Sequence, residues 1–409
     1  MNFLIISLIK AAIVAGVLMT TLAYLQWIER KVIAHIQLRV GPYRVGPHGL
    51  LQPLADVIKL ITKEGFIPSH VNLFFYMLAP FLAVTLALIS ISVIPFGPEI
   101  EVAGVHTWMQ LTDLNIGVLF VLAISSVGVY GIALAGWASN NKYSLLGGLR
   151  SSAQMISYEL PLALAVAAPL LLANTLSFRG IVNEQYGYTW GWLPHWSIFQ
   201  FPAPQIFGFL VFLVAAFAET NRVPFDLPEA ENELVAGFHT EYSSMKFASF
   251  FMAEYSNMVT VTCVATLLFL GGWTPLFPAP WSDWIPVLVF AFGGLVSLYA
   301  GINPARPFDK FTLPVAGLVF LGLAVVYAAS FLFPPLALGL PVVQTILMAL
   351  FWFCGKVLFL LFVFIWIRGT LPRFRYDQLM RFAWTVMFPV AMLNLLVTGL
   401  LVALFPNRP

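Results

Sequence analysis

Ten long apolar stretches constrain this chain more than any other feature. They run over roughly 3–28, 72–95, 116–138, 153–175, 204–219, 247–271, 284–303, 312–333, 341–367 and 383–405. A helix that crosses a bilayer needs about 20 mostly apolar residues, and Gly/Pro punctuation separates most of these runs. The fifth is short and could extend back to about Phe201. Charged residues make up only 9% of the chain and hydrophobic ones 60%, against roughly 25% charged in soluble domains. So few charges cannot cover a water-facing surface, which excludes a soluble enzyme or nucleic-acid binder. The net charge of +2 is too small to imply a polyanionic partner. The expectation is an all-α polytopic membrane protein, one integral membrane domain over 1–409, with about ten transmembrane helices. The first span does not read as a cleaved signal: it carries Lys10 and leads into Glu29-Arg30-Lys31. Cys263 and Cys354 sit in apolar runs without metal-ligand spacing.

Positive charge sets the expected orientation. The loops after odd-numbered spans hold 16 of the 20 Lys and Arg residues. By the positive-inside rule those loops are cytoplasmic and both termini face outward. The opposite loops are aromatic-rich, with Tyr186, Tyr188, Trp190, Trp192 and Trp196, as suits an interfacial belt.

Three cytoplasmic loops carry unusual polar content. In the first, 50–64 has helical periodicity. Leu50, Leu51, Leu54, Val57, Ile58 and Ile61 share one face, with Gln52, Asp56, Lys59 and Lys63 opposite. This reads as an amphipathic helix in the membrane interface, either a surface anchor or the wall of an entrance for a lipid-like substrate. The glycine-rich 41–49 before it lacks the Gly-Lys-Ser/Thr ending of a phosphate loop. From Glu219 to Lys246 there are six acids and two bases. Asp226 with Glu229 resembles a capping box, and in a helix over 228–236 Glu229 and Glu233 would share a face. Such a pair near a membrane tends to share one proton, which is what a proton path needs; the plain alternative is a solvated acidic loop. The last loop, 368–378, mixes Arg368, Arg373, Arg375 and Asp377 with aromatics. It fits a positive-inside stop or a docking surface for a soluble partner.

Glu159, Glu254 and Lys356 fall inside spans. A charge at mid-membrane costs about 2.5–3.5 kcal/mol on insertion scales, so such groups face a protein interior or wet cavity unless they snorkel from a helix end. Lys356 lies about 16 Å of helix from the charged loop, too far to snorkel easily, and is expected to be paired or deprotonated. The six histidines are scattered without shared ligand spacing, and none reads as a metal ligand.

Six runs carry a resemblance: Glu29-Arg30-Lys31, 37–42, 49–59, 150–159, 218–237 and 372–380. Together, in collinear order over nearly the whole chain, they resemble the family of H subunits of bacterial NADH-quinone oxidoreductase, counterparts of subunit 1 of mitochondrial complex I. The most specific is Pro-Phe-Asp-Leu-Pro-Glu-Ala-Glu-Asn-Glu-Leu-Val-Ala-Gly at 224–237. The resemblance implies a subunit of the bacterial inner membrane that joins a peripheral electron-transfer arm to a membrane arm and is not catalytic alone. It implies quinone as substrate, admitted near the first span and the interfacial helix. Flavin, iron–sulfur clusters and NAD would be held by other subunits. Carried over residue by residue, it assigns quinone binding to Arg30, Arg39, Asp56, Lys59, Arg222, Phe225 and Asp226. A proton or coupling path would use Glu159, Glu219, Glu229, Glu231, Glu233, Glu241 and Glu254. Arg373, Arg375 and Asp377 would shape the subunit junction.

The chain departs from the family pattern in two places. The common form has eight spans, so 281–341 reads as an inserted two-helix hairpin, packed peripherally or facing lipid. Tyr43 and Arg44 stand where Asn is more usual after Gly-Pro. Two other readings compete: a membrane subunit of an energy-converting hydrogenase-type complex, and a stand-alone ion transporter. The latter predicts internal repeats, and none is visible.

Overall fold

The computed structural model describes residues 2–102, 105–226, 235–302, 304, 309–332 and 340–405. The helices are α1 Asn2–Ile36, α2 Gln52–Thr62, α3 Leu73–Ser90, α4 Gly117–Ala138, α5 Lys142–Ala173, α6 Phe178–Glu184, α7 Ile206–Glu219, α8 Ser244–Phe269, α9 Trp281–Ile302, α10 Asp309–Leu332, α11 Leu340–Thr370, α12 Tyr376–Phe382 and α13 Phe388–Leu404. A short π-helical segment, Ala383–Met387, joins α12 to α13. Among the described residues, strands are confined to two small antiparallel hairpins, Glu99–Val102 with Val105–Trp108 and Tyr188–Thr189 with Leu193–Pro194. Among the described residues, nine helical stretches are long and apolar enough to cross a membrane, and Ile206–Glu219 is a shorter apolar helix. The chain is an all-α, multi-pass membrane protein.

Every expected span is a helix, and the amphipathic segment is helical as α2. Four boundaries differ. The tenth span starts not at 383 but at Tyr376, where α12 runs through the π-helical segment into α13. The first helix continues through Glu29, Arg30 and Lys31 to Ile36, so these charges ride on a rigid element and not a loop. The fourth begins at Lys142, capped by Asn141, whose side chain accepts from the Tyr143 amide. Arg150 and Glu159 therefore share one continuous helix. The fifth does not extend back towards Phe201. Pro202 and Pro204 disfavour helix before them, and Gln205 instead bonds Ala203 O and Thr398 Oγ1, each at 2.9 Å.

That short α7 matters for the site. Its 14 residues reach about 21 Å, well short of a hydrocarbon core of about 30 Å. The chain at its ends is thus held at membrane depth, where irregular backbone survives only when buried in protein. At one end Gln205 meets Asn394 Nδ2 at 2.9 Å. At the other, the turn 220–222 is buried.

The core lies where α1, α4, α5, α7, α8 and α11 converge. Tyr158, Leu162, Phe212, Phe217, Met258, Phe353 and Phe364 are all buried there, and Phe217 stacks on Phe364 at 3.8 Å. The opposite faces carry exposed apolar side chains, such as Leu8, Ile13 and Val17 on α1 and Phe292 and Tyr299 on α9. These positions are stable against lipid and not against water. Helices α9 and α10 form a closely packed pair: a Cβ on Gly294 would come within 3.0 Å of Gly317 O. The hairpin meets the rest of the bundle through Phe290 against Phe351 and through Tyr327 Oη, which donates to Leu347 O at 2.9 Å.

The bundle has two unlike ends. One carries α2, the turns around 139–141 and 220–226, and the start of α12; it is rich in charge. The other carries the strand hairpins and many aromatics. Both in-span lysines are held near the aromatic end. Lys10 donates to Thr107 Oγ1, Trp108 O and Gln110 O at 2.8–3.1 Å. Lys356 donates to Leu270 O, Gly272 O and Thr274 O at 2.5–2.9 Å, and lies 4.0 Å from the Trp196 ring centre. Three acceptors match the three N–H groups of an ammonium.

Candidate functional site

At the charged end, α5 supplies the platform for the turn that follows α7. Gln154 is fully buried, and its amide Nε2 donates its two N–H groups to Ala218 O and Phe225 O, both at 2.9 Å, with Asn221 Oδ1 a further 3.3 Å neighbour. One side chain thus pins both ends of the turn. Tyr158, one turn further along α5, donates its hydroxyl to Leu379 O at 2.9 Å and packs edge-on against Phe225. The Phe374 amide donates to Pro224 O, and Phe225 also touches the Phe374 ring. These contacts draw 220–226 and 370–379 together.

Within this frame sits a buried acid–base cluster. Arg222, 5% exposed, places Nη1 at 3.1 Å from Glu29 Oε1 and Nε at 2.7 Å from Glu254 Oε1. Its guanidinium lies 4.2 Å from the Tyr255 ring centre. Arg368 pairs with the same Glu29 carboxylate. Nearby, Arg373 Nη2 donates to Asp226 Oδ2 at 2.9 Å. Three acids and three bases from α1, the 220–226 turn, α8, α11 and the α11–α12 connection are therefore matched in sign. Such matching is required, because a single unpaired charge at this depth would be strongly destabilising.

Helix α1 separates this cluster from α2. Successive helical residues point about 100° apart, so Glu29 turns inward while Arg30 turns to α2, where Nη1 donates to Asp56 Oδ2 at 2.8 Å. Asp56 also accepts from Gln52 Nε2 at 3.1 Å and lies 3.6 Å from Lys59 Nζ. The apolar face of α2, with Leu54, Val57, Ile58 and Ile61, is exposed, as an interfacial helix requires.

A cavity of about 80 Å³ lies among α3, α4, α5, α7 and α8, and both Glu219 and Glu254 line it, with Ser125, Asn221, Asn257 and Thr260. At roughly 10–15 Å³ per water it has room for several waters with polar partners. Glu159 accepts from Ser126 Oγ on the neighbouring α4. Glu241 stands apart: Asn141 Nδ2 donates to its Oε1 at 2.6 Å, and Tyr76 Oη to its backbone O at 2.8 Å. The adjoining turn packs tightly on α5, since a Cβ on Gly147 would meet Gly237 Cα at 2.7 Å. His239 in this turn is buried against Phe238, Phe247 and Phe251, and burial pushes its imidazole down to about 4.

Comparison with known proteins decides the family. The NADH dehydrogenase family profile matches residues 9–399. The NADH-quinone oxidoreductase H subunit designated H 1 in Solibacter usitatus is 66% identical over 403 residues, 98% of each chain. The chain belongs to the family of NADH-quinone oxidoreductase H subunits. The one designated H 2 in Koribacter versatilis is 48% identical over 98% of each chain. Its namesake H 2 in Geobacter metallireducens is 43% identical over 99% of this chain and 97% of its own.

In this member of the H-subunit family, the expected site residues divide clearly. Arg222, Phe225, Asp226, Glu254 and Arg373 come together in one cluster. Arg30, Asp56 and Lys59 form a second group across α1. Glu219 joins the first through the cavity. Glu159, on Ser126, and Glu241, on Asn141, belong to neither group, and three further positions lie away from both at the surface. Arg39 is exposed and bonded to Gln37; Arg375 and Asp377 face each other at 3.5 Å, both exposed. Glu229, Glu231 and Glu233, with the capping box expected there, lie outside the described residues. Sequence reasoning missed two members of the cluster. Glu29 looked like part of a charged loop, yet as the last acid on α1 beside Arg30 it was the available partner for a buried base. Arg368 looked like a stop signal, yet it points back onto Glu29.

Proposed function

We propose that this chain, assembled with the peripheral-arm and membrane-arm subunits of an NADH-quinone oxidoreductase, forms the membrane-side wall of a quinone chamber and the start of a carboxylate path that couples quinone reduction to proton translocation. The observation that carries the proposal is that Glu219 and Glu254 open on one cavity with room for several waters while Glu254 also contacts Arg222 of the charge cluster. A proton could therefore pass between cluster and cavity without crossing apolar packing.

Reduction of a quinone to a quinol takes up two electrons and two protons. The electrons come from partner subunits; flavin, iron–sulfur clusters and NAD belong to those subunits, not to this chain. Arg30, Asp56 and Lys59, between α1 and the interfacial α2, suit a lateral opening through which an isoprenoid substrate leaves the lipid. Arg222, Phe225 and Asp226, with Arg39 towards the partner, suit the chamber. Arg373, Arg375 and Asp377 suit the subunit junction, where two exposed side chains remain available for docking. Glu219, Glu254, Glu159 and Glu241, with Glu229, Glu231 and Glu233, supply groups that take and release protons. A change of charge in the chamber shifts the proton affinity of nearby carboxylates, which links the two ends of the path. The charged end faces the cytoplasm of the bacterial inner membrane, and both termini face outward. The 281–341 hairpin is an insertion that leaves this sidedness unchanged.

The test uses membranes holding the assembled complex. In Glu219→Gln, NADH oxidation by a hydrophilic artificial acceptor is expected to persist, while NADH-driven quinone reduction and proton translocation fall roughly tenfold or more. Full quinone reductase activity with full proton translocation in that variant would refute the path. Recovery of the chain as a lone, functional ion carrier would refute the assembly.

A further inference from the structure

The site at the charged end leaves a second recess unexplained. It lies at the aromatic end, where the first turn of α9 and the start of α11 meet the outer loops, and has a volume of about 290 Å³. That is near the lower end for small-ligand pockets. Tyr186, Trp273, Trp352, Met348, Thr345 and Asp283 line it.

Asp283 gives the recess its chemical sense. Its carboxylate bonds Ser282 Oγ at 3.3 Å and raises the neighbouring Tyr188 phenol, whose shift to about 12 comes first from burial. Among the described residues no Lys, Arg or His pairs with Asp283, whereas Asp113 at the same end is matched by Arg179 at 2.8 Å. A carboxylate beside two indoles and a phenol is the combination that holds an ammonium: charge from the acid, quadrupole attraction from the ring faces. Below it, Leu288 and Phe292 of α9 are exposed and apolar, a surface suited to acyl chains.

We propose that this recess binds the headgroup of an amine-bearing zwitterionic phospholipid, of the phosphatidylethanolamine class, in the leaflet at the aromatic end. The ammonium sits with Asp283 among Tyr186, Trp273 and Trp352. Indole N–H groups are available donors for the phosphate. An anionic lipid is disfavoured, because it brings net negative charge to a carboxylate with no Lys, Arg or His among the described lining residues. Lys356, whose acceptors flank Trp273, already has its three N–H groups committed to Leu270 O, Gly272 O and Thr274 O. The proposal also gives the α9–α10 hairpin a purpose, since α9 supplies the acid.

The complex is purified from membranes containing both phosphatidylethanolamine and phosphatidylglycerol, and retained lipids are quantified by mass spectrometry after extraction. The wild type is expected to hold phosphatidylethanolamine in excess of its membrane fraction. Asp283→Asn is expected to remove about one phosphatidylethanolamine per complex, the capacity of a single recess of this size, from that excess. Glu101→Gln, which removes an exposed acid from the same end, is expected to leave it unchanged. Trp352→Leu, which removes an aromatic wall without altering charge, is expected to lower it as well, and decides the matter if Asp283→Asn fails to accumulate. NADH-driven quinone reduction is expected to be unchanged, so failure of this proposal and failure of the proposed function are distinguishable. Equal retention of the two lipids by the wild type overturns the proposal. So does phosphatidylethanolamine retention indifferent to both variants, the result expected if a partner polypeptide covers the recess.

Discussion

Replacing Arg222 by Gln tests the charge cluster most severely. The substitution removes the positive charge that lies 3.1 Å from Glu29 and 2.7 Å from Glu254. Glu29 keeps Arg368 as a partner, so the carboxylate left stranded is Glu254. Breaking a buried ion pair on one side costs about 3–5 kcal/mol, most of it from the orphaned charge. Glu254→Gln alone costs less, about 1–2 kcal/mol, because Arg222 retains Glu29 and the Tyr255 ring. In the double variant nothing charged is stranded at residue 254. Its loss should be smaller than the sum of the singles by about 2–3 kcal/mol, a coupling typical of contacting groups. The assay is the thermal midpoint of the purified complex in detergent for all four members of the cycle. The expected order has Arg222→Gln lowest and the double variant above it. A double variant at or below Arg222→Gln would show that Arg222 acts through shape and not through pairing. Quinone reduction should remain low in the double variant even as stability returns, because the path still lacks Glu254.

Three further outcomes are expected. Arg30→Ala breaks a partly exposed pair with Asp56, so stability should change by about 0–1 kcal/mol, while the KM for a long-chain quinone rises; an unchanged KM would remove Arg30 from the entrance. His239 is held at about 4 against an ordinary 6.5. Its contribution is therefore intact above pH 6.5 and lost as pH falls from 6.5 to 4, by at most about 3 kcal/mol; His239→Phe should flatten the midpoint over that window. Lys356→Met orphans three carbonyls and should destabilise by about 3 kcal/mol, with Lys356→Arg rescuing poorly because a planar fork cannot replace a compact ammonium.

The fold was legible because lipid leaves so few options. Once apolar stretches of bilayer length are counted, the backbone must be helical, and all ten appear. The amphipathic α2 was legible for the same reason, since its two faces separate cleanly at 3.6 residues per turn. Where helices end was less visible. Glu29 and Arg30 were placed in a loop because charge looks like a boundary, whereas the neighbouring acid and base each find a partner in different directions and so stay on the helix. Of the cluster, the sequence offered Arg222, Asp226, Glu254 and Arg373 but neither Glu29 nor Arg368, and it offered none of the pairings. Nothing local marks Arg222 as the partner of Glu29, 193 residues earlier, or Gln154 as the clamp on the 218–225 backbone. Such matches arise from packing between distant helices, and no spacing rule encodes them.

The two in-span lysines bear on how the chain enters the bilayer. The acceptors of Lys356, at 270–274, precede it in the sequence and can already be in place when α11 arrives. Those of Lys10, at 107–110, emerge about a hundred residues after it. Until then α1 carries an ammonium with no protein partner, and its residence in the bilayer is provisional. Arrival of the strand hairpin at the aromatic end then locks α1 in place. Lys10→Leu should accordingly let truncated chains that stop before residue 107 insert more stably than the native sequence, as a protease-protection assay on nascent chains would read.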